Sequence, residues 1–170
     1  MQLTGKQIID QKIISNCCEE GVQQQGIDVR VIDVKEVQDW GFIPQHGKTR
    51  KCSVVPIETE TLEMNTGTVE AWKLPTGYYE VTFEESCNIP ANAVLHYDAR
   101  SSLVRCGGKI FSGQFDGGFH TDHMGAFMEL AKPIIIEKGA RIAQARVEET
   151  YPVDEENLYD GQWQNDKQRV

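Results

Sequence analysis

The hydrophobic pattern changes once along the chain, from a helical period near the N-terminus to alternation over most of the remainder. Thr4 and Gln7 match a capping box, in which a threonine and a glutamine three residues later satisfy free N–H groups at the start of a helix. The apolar residues that follow are Ile8, Ile9, Ile13 and Ile14. This spacing predicts a short amphipathic helix over residues 5–15.

Apolar and polar residues then alternate in three segments, 28–31, 79–84 and 141–147. Alternation with a period of two is typical of strands that bury one face. Clusters rich in glycine and proline separate the segments, at residues 75–77, 88–90, 107–108, 117–118 and 138–139. Many short strands joined by such turns predict an all-β fold, a barrel or a jelly-roll sandwich. The pattern is weaker over residues 44–70, where a hairpin turn is expected at 65–67.

The length of the chain limits the number of domains, and its net charge limits the class of partner. A chain of 170 residues predicts a single domain over 1–170, with the polar segment 151–170 as its C-terminal tail. The tail carries Tyr159 and Trp163, whose rings are costly to leave in water. Against 26 acidic residues stand 17 basic ones, which gives a formal charge of −9. That charge argues against a nucleic acid polymer as partner, although a few clustered arginines could hold a small anion.

The sequence predicts a cytoplasmic protein without a membrane partner. No apolar run is long enough to span a bilayer, and the N-terminal residues MQLTGKQIID lack the apolar region of a signal peptide. The five cysteines are an odd number without regular spacing, so we expect reduced thiols.

The segment ARSSLVR at residues 99–105 concentrates groups that recognise phosphate. Arg100 and Arg105 supply forked cationic donors, and Ser101 and Ser102 supply hydroxyls. An exposed strand-to-helix turn, in which the serines cap the backbone, is the alternative interpretation.

Two carboxylates and two histidines are further candidates. Asp116 precedes a glycine pair, and it could accept a hydroxyl or close an Asx turn. Glu129 lies in an apolar segment, where burial would raise its pKa and suit it to general-base catalysis; a glutamate facing solvent on an edge strand is the alternative. His120 and His123 have no evident third ligand nearby, so metal binding is not favoured. No Cys-x-x-Cys pair exists, so we expect no zinc.

Seven motifs resemble, in order, those of the dCTP deaminase and dUTPase family, with greater similarity to the dCTP deaminase branch. The similar elements are residues 26–30, 74–84, 89–90, 99–105, 116–119, 138–144 and 159–164. The last of them, YDGQWQ, is similar to the tail of the deaminases, and the glycine-rich tail of the dUTPases is absent. The resemblance implies a distorted β-barrel that forms a homotrimer, with active sites between subunits.

The implied activity is zinc-independent deamination of dCTP to dUTP and ammonia. The alternatives are a dUTP diphosphatase that releases dUMP and diphosphate, using Asp116 or Asp122 to activate water, or an enzyme with both activities. A non-catalytic trimer that binds deoxynucleotides is a third interpretation. Mg²⁺ would be bound through the triphosphate, and dTTP could act as a feedback ligand.

The resemblance also implies a role for each site residue. Arg100, Ser102 and Gln144 would hold the triphosphate, and Asp116 would contact the deoxyribose. Glu129 would be the general base, while Ser101 and Arg105 would orient the water and the carboxylate. Tyr159 and Gln162 belong to the tail, which would close over the nucleotide.

Overall fold

The computed structural model describes residues 1–65 and 67–164. Within them lie two α-helices, α1 (Gly5–Asp10) and α2 (Ser101–Arg105), and two 3₁₀ turns, Glu19–Gly21 and Glu155–Asn157. The strands in chain order are β1 (Ile14–Ser15), β2 (Val22–Gln23), β3 (Gly26–Gln38), β4 (Ser53–Pro56), β5 (Glu60–Met64), β6 (Gly67–Leu74), β7 (Gly77–Phe83), β8 (Ser86–Asn88), β9 (Ala93–Ala99), β10 (Gly108–Phe111), β11 (His120–Thr121), β12 (Gly125–Leu130), β13 (Ile134–Glu137) and β14 (Arg141–Glu149).

The largest sheet is antiparallel, with strand order β10-β12-β7-β3-β14-β9, and β2 and β4 also pair with β3. Its end strands β9 and β10 approach each other, so the sheet curls into a nearly closed barrel. Two smaller sheets, β1-β8-β11 and β13-β6-β5, complete the fold. The all-β barrel predicted from alternation is therefore confirmed.

The alternating segments lie where the pattern predicts. Residues 28–31 and 141–147 fall within β3 and β14, and residues 79–84 fall in β7 except for the last. Their apolar faces meet in one core, which includes Val29, Val81, Phe83, Ala145 and Val147, all fully buried. The predicted hairpin joins β5 to β6, with Met64 paired to Gly67; Thr66 of its turn lies outside the described residues.

The N-terminal helix is shorter than predicted. The capping box of Thr4 and Gln7 is present, but α1 ends at Asp10 rather than at residue 15. Lys12 has a left-handed φ of 55°, which an α-helix cannot continue through. The chain then turns so that Ile14 pairs with Cys87 of β8, and Ile13 and Ile14 are buried as a result.

A partly buried ion pair joins distant parts of the chain. Glu85 is fully buried, and its carboxylate accepts hydrogen bonds from Arg30 Nε at 2.8 Å and from the Arg30 backbone N–H at 2.9 Å. The Arg30 guanidinium also donates to the carbonyl of Asn16. Because the three residues belong to different parts of the chain, this pair ties β3 to the turn after β7 and to the N-terminal segment.

None of the helices among the described residues is long and apolar enough to cross a membrane. The five cysteines are free thiols. Burial, together with the nearby Glu85 carboxylate, raises the pKa of Cys17 to about 11, so this thiol stays protonated at neutral pH.

Candidate functional site

A cavity of about 390 Å³ opens beside β7 and β12, beneath the C-terminal tail. It is lined by Lys51, Glu80, residues 112–116, Phe119, residues 125–127, Tyr159 and Trp163. Most of this lining is apolar or aromatic, with few charged groups. A predominantly apolar concave site with a few polar groups is typical of small-molecule binding.

The aromatic lining is continuous with the core. Tyr97 contacts Phe115 edge-on at 5.5 Å between ring centroids, Phe115 contacts Phe119 at 4.9 Å, and Phe119 contacts Tyr159 edge-on at 5.6 Å. Edge-to-face and tilted contacts at such distances are favourable. The cavity wall is thus held by the barrel, and the ring of Tyr159 extends it into the tail.

Asp116 lies at the rim of the cavity, in the turn that leads to Phe119. Its side chain is exposed, and its Oδ1 accepts a hydrogen bond from Gln114 Nε2 at 2.8 Å. The backbone N–H of Phe119 donates to the Asp116 carbonyl at 3.0 Å and closes the turn. The turn therefore presents a carboxylate to the cavity mouth.

The tail docks on the glycine pair that follows Asp116. The backbone N–H of Tyr159 donates to the carbonyl of Gly117 at 2.9 Å, and Trp163 N–H donates to the Tyr159 hydroxyl at 3.1 Å. A Cβ on Gly118 would lie 2.9 Å from both Leu158 Cβ and the Tyr159 nitrogen. Only glycine therefore permits this close approach.

Gln164 and Gln162 hold the tail at two further points. Gln164 Nε2 donates to the Gly118 carbonyl at 2.9 Å, and its Oε1 accepts from the His120 backbone N–H at 3.1 Å. Gln162 Nε2 donates to the carbonyl of Thr49 at 2.9 Å, outside the cavity lining. Up to residue 164 the tail is folded against the domain and is not frayed.

Arg100 and Gln144 meet at a second location, around the buried carboxylate of Asp28. The register of β14 places Gln144 opposite Asp28 on β3, and its Nε2 donates to Asp28 Oδ1 at 3.3 Å. Arg100 Nε lies 3.0 Å from Asp28 Oδ2, and its Nη1 donates to the Arg141 carbonyl at 3.1 Å. Burial raises the pKa of Asp28, while Arg100 opposes that rise.

Ser101, Ser102 and Arg105 lie on α2, the helix that begins directly after Arg100, and all three are exposed. The strand-to-helix turn offered as the alternative interpretation is thus present, but the N-cap is Arg100 and no side chain caps the helix. Arg100, the residues of α2 and Gln144 are not in the cavity lining. One chain therefore presents two separate groups of candidate residues.

Glu129 is exposed and is not in the cavity lining. Its neighbours Met128 and Leu130 point into the core, so its side chain lies on the opposite face of β12, with Tyr78 and Lys109 as its cross-strand partners. β12 lies between β10 and β7, so it is not an edge strand. The premise that Glu129 is buried is wrong; its role in catalysis stays a prediction.

Glu80 is the cavity residue that sequence reasoning missed. It is 4% exposed, its Oε2 lies 3.6 Å from Lys51 Nζ, and its Oε1 has no hydrogen-bond partner among the described residues. Glu80 occupies a polar position of the alternating segment 79–84, so the pattern predicts that it faces solvent. Lys51, Tyr159 and Trp163, all distant from Glu80 in the sequence, line the same cavity, and no local pattern predicts that they meet there.

His120 and His123 lie in the connection between Phe119 and β12, where residues 120–121 form the third strand of the sheet β1-β8-β11. Among the described residues, no group of three or more His, Cys, Asp or Glu side chains is arranged to hold a metal ion. This connection also carries the His120 N–H that binds the tail, so its observed contacts are structural.

An aromatic cavity with a carboxylate at its rim is suited to a small ligand that carries an aromatic ring. Comparison with known proteins is consistent with this. A family model described as dCTP deaminase-like matches residues 2–150. The chain belongs to this family.

Two relatives are similar over most of their length. A probable deoxyuridine 5'-triphosphate nucleotidohydrolase of Halobacterium salinarum is 32% identical over 151 residues, which cover 88% of this chain and 86% of the relative. A deoxyuridine 5'-triphosphate nucleotidohydrolase of Methanocaldococcus jannaschii is 35% identical over 129 residues, which cover 76% and 79% of the two chains.

A solved structure shares the fold. The 2'-deoxycytidine 5'-triphosphate deaminase of Agrobacterium tumefaciens superimposes with a TM-score of 0.59 at 17% identity. The match covers 86% of this chain but only 47% of that one, so this chain spans about half the length of its structural relative. At this identity the match concerns the fold alone.

Proposed function

We propose that this protein hydrolyses dUTP to dUMP and diphosphate. The observation that carries the proposal is the aromatic cavity with Asp116 at its mouth, closed by a tail docked on the adjacent glycines. The similarity to proteins named deoxyuridine 5'-triphosphate nucleotidohydrolase, at 32% and 35% identity, supports the same activity.

Deamination of dCTP is the second candidate, because the matching family model is described as dCTP deaminase-like. The sequence alone favoured this reaction and assigned the general base to Glu129. Within one chain, Asp116 lies in the lining of the cavity, whereas Glu129 is exposed outside it. This placement is why we rank diphosphate release first.

In the proposed reaction, water adds to phosphorus while the bond between the α- and β-phosphate groups breaks. Asp116 accepts the proton of the attacking water, and diphosphate leaves with the electron pair of the broken bond. The hydrogen bond from Gln114 Nε2 orients the Asp116 carboxylate for this step. Tyr159 and Trp163 exclude bulk water when the tail is docked.

The triphosphate would be held by Arg100, Ser102 and Gln144 of a second subunit, because these side chains lie outside the cavity of their own chain. A homotrimer would supply that second subunit. Large apolar side chains on the surface are consistent with an assembly: Trp40 and Ile43 are each 84% exposed. The described residues offer no cluster of metal-binding side chains, so Mg²⁺ would be bound by the phosphate oxygens of the nucleotide.

The test is incubation of the protein with dUTP or dCTP and Mg²⁺, with products resolved by anion-exchange chromatography and ammonia measured separately. We expect dUMP and diphosphate from dUTP and no ammonia from dCTP. Ammonia release from dCTP would favour the second candidate, and no turnover of either nucleotide would contradict both.

Two matched substitutions locate the carboxylate that activates water. Asp116→Asn should reduce kcat about a hundredfold or more, because the amide keeps the shape but cannot accept the proton. Asp122→Asn should leave kcat near the wild-type value, because Asp122 is exposed outside the cavity lining. The reverse result would assign the role to Asp122.

A further inference from the structure

Glu80 is a carboxylate that the fold buries without satisfying. It lies on β7, opposite Phe127 of β12, and it is 4% exposed in the lining of the cavity. Oε1 has no hydrogen-bond partner among the described residues, and the Lys51 ammonium is 3.6 Å from Oε2. Phe127, Phe119 and Tyr159 give the same cavity aromatic walls.

An unpartnered buried acceptor is unfavourable, and a charged one more so. Lys51 balances the charge, but at 3.6 Å it is beyond ordinary hydrogen-bond length. The terminal torsion of a glutamate is broad, so a small rotation turns either oxygen toward the cavity. A ligand that carries an N–H donor on an aromatic ring would satisfy this carboxylate where the protein does not.

We propose that Glu80 reads the nucleobase and selects uracil over cytosine, an inference that rests on the proposed function for the identity of the ligand. The N3–H of uracil donates to the Glu80 carboxylate, and the Lys51 ammonium donates to the adjacent carbonyl oxygen. In the same pose, cytosine presents the lone pair of N3 to the Glu80 carboxylate and its N4 amino group to the Lys51 ammonium, so neither contact is a hydrogen bond. A site built to accept a hydrogen bond disfavours a ligand that lacks the donor, because both groups then remain unpaired.

Binding of non-hydrolysable nucleotides tests the inference apart from turnover. The probes are α,β-imido-dUTP, α,β-imido-dCTP and the N3-methyl derivative of α,β-imido-dUTP, measured by isothermal titration calorimetry with Mg²⁺. Wild-type protein should bind the first about tenfold to a hundredfold more tightly than the other two, the range expected for a hydrogen bond to a charged acceptor. Equal affinity for the methylated and unmethylated probes would overturn the inference.

Glu80→Gln is the informative variant, because its amide can present either an oxygen or an N–H to the base. We expect the preference for the uracil probe over the cytosine probe to shrink about tenfold or more. Glu137→Gln, which makes the same change at an exposed residue of β13, should keep the wild-type preference. A wild-type preference in Glu80→Gln would also overturn the inference.

The outcomes separate this inference from the proposed function. Hydrolysis of dUTP with an unchanged preference in Glu80→Gln would reject the role of Glu80 only. A Glu80-dependent preference without hydrolysis would reject the proposed reaction only, and no binding of any probe would reject both. If Glu80→Gln fails to fold, as judged by circular dichroism, the comparison of methylated and unmethylated probes on wild-type protein decides.

Discussion

Replacing Gly118 with alanine should detach the tail while leaving the barrel folded. Gly118 has a φ of +93°, a conformation that an L-residue adopts only with strain. The added Cβ would also lie 2.9 Å from Leu158 Cβ and 2.9 Å from the Tyr159 nitrogen, both in the tail. The backbone strain lowers the free energy of unfolding of the whole domain, whereas the clash weakens the docking of the tail.

The two effects have different magnitudes and different consequences. A left-handed conformation costs about 1–2 kcal/mol for a residue with a Cβ. Displacement of the tail loses the hydrogen bonds from Tyr159 N–H to Gly117 and from Gln164 to Gly118, each contributing about 1 kcal/mol. If the tail closes over the nucleotide, a loss of about 2 kcal/mol raises KM for dUTP roughly thirtyfold.

Gly139→Ala is the matched control. Gly139 has a similar φ of +85°, but a Cβ there would meet no atom within 4 Å. Urea unfolding should therefore show a loss of about 1–2 kcal/mol in Gly139→Ala, and in Gly118→Ala the same loss plus up to about 2 kcal/mol from the undocked tail. Only Gly118→Ala should show the higher KM, together with faster hydrogen exchange of the Tyr159 and Trp163 amides.

A single result would refute this reasoning. If Gly118→Ala accelerates exchange of the tail amides but its KM stays equal to that of Gly139→Ala, then the tail docks on Gly118 without contributing to nucleotide binding. The aromatic rings of the tail would then serve stability alone.

Two further substitutions probe the buried charges. Burial raises the pKa of Asp28, so the stabilisation linked to its protonated form is complete below its unfolded pKa of about 3.9 and is lost as the pH rises through the folded pKa. Asp28→Asn does not titrate, so its unfolding free energy relative to wild type should increase between about pH 4 and pH 7 in urea titrations; a decrease would contradict the burial argument. Glu85→Ala removes the partner of Arg30, and we expect a loss of about 2–3 kcal/mol by urea unfolding, less than for a fully buried pair because Arg30 is 27% exposed. A loss below about 1 kcal/mol would show that water replaces the carboxylate.

The sequence was sufficient to predict the barrel because alternation and turn residues are local signals. Segments 28–31, 79–84 and 141–147 each carry the period of two, and each forms a strand whose apolar side chains enter the core. The C-terminal end of helix α1 was harder to predict from the sequence. The spacing of Ile13 and Ile14 fits the apolar face of a longer helix. They leave the helix because Ile14 pairs with Cys87, and no local pattern predicts a contact between residues so far apart in the sequence.

In the candidate site, too, the residues could be predicted from local motifs but some of their contacts could not. Asp116 and Tyr159 were predicted from motifs, and the structure places both in the cavity lining. Arg100 and Gln144 were also predicted, but their common partner Asp28 follows only from the register of β14 against β3. Register depends on contacts along whole strands, which a motif does not contain.

The two carboxylates on β7 and β12 show where local reasoning fails. Both Glu80 and Glu129 occupy the outer face of the barrel sheet, and by alternation alone neither is distinguished from the other. Glu80 shares its cavity with Lys51 and the tail residues Tyr159 and Trp163 and is buried, while Glu129 stays exposed. Contacts from segments distant in the sequence can therefore bury a residue that the strand pattern predicts to face solvent.

If the proposed function is correct, Asp28 would help the acidic chain to hold a triphosphate with few cations. Its carboxylate binds Arg100 Nε, and the Arg141 carbonyl binds Arg100 Nη1, so the guanidinium is fixed by two bonds before any ligand arrives. A guanidinium fixed in this way would lose less side-chain entropy when it binds a phosphate group. The same contact weakens the field of Arg100, because a buried carboxylate lies 3.0 Å away. In the proposed function, affinity for the triphosphate would therefore come from geometry more than from net charge, because the protein has a formal charge of −9.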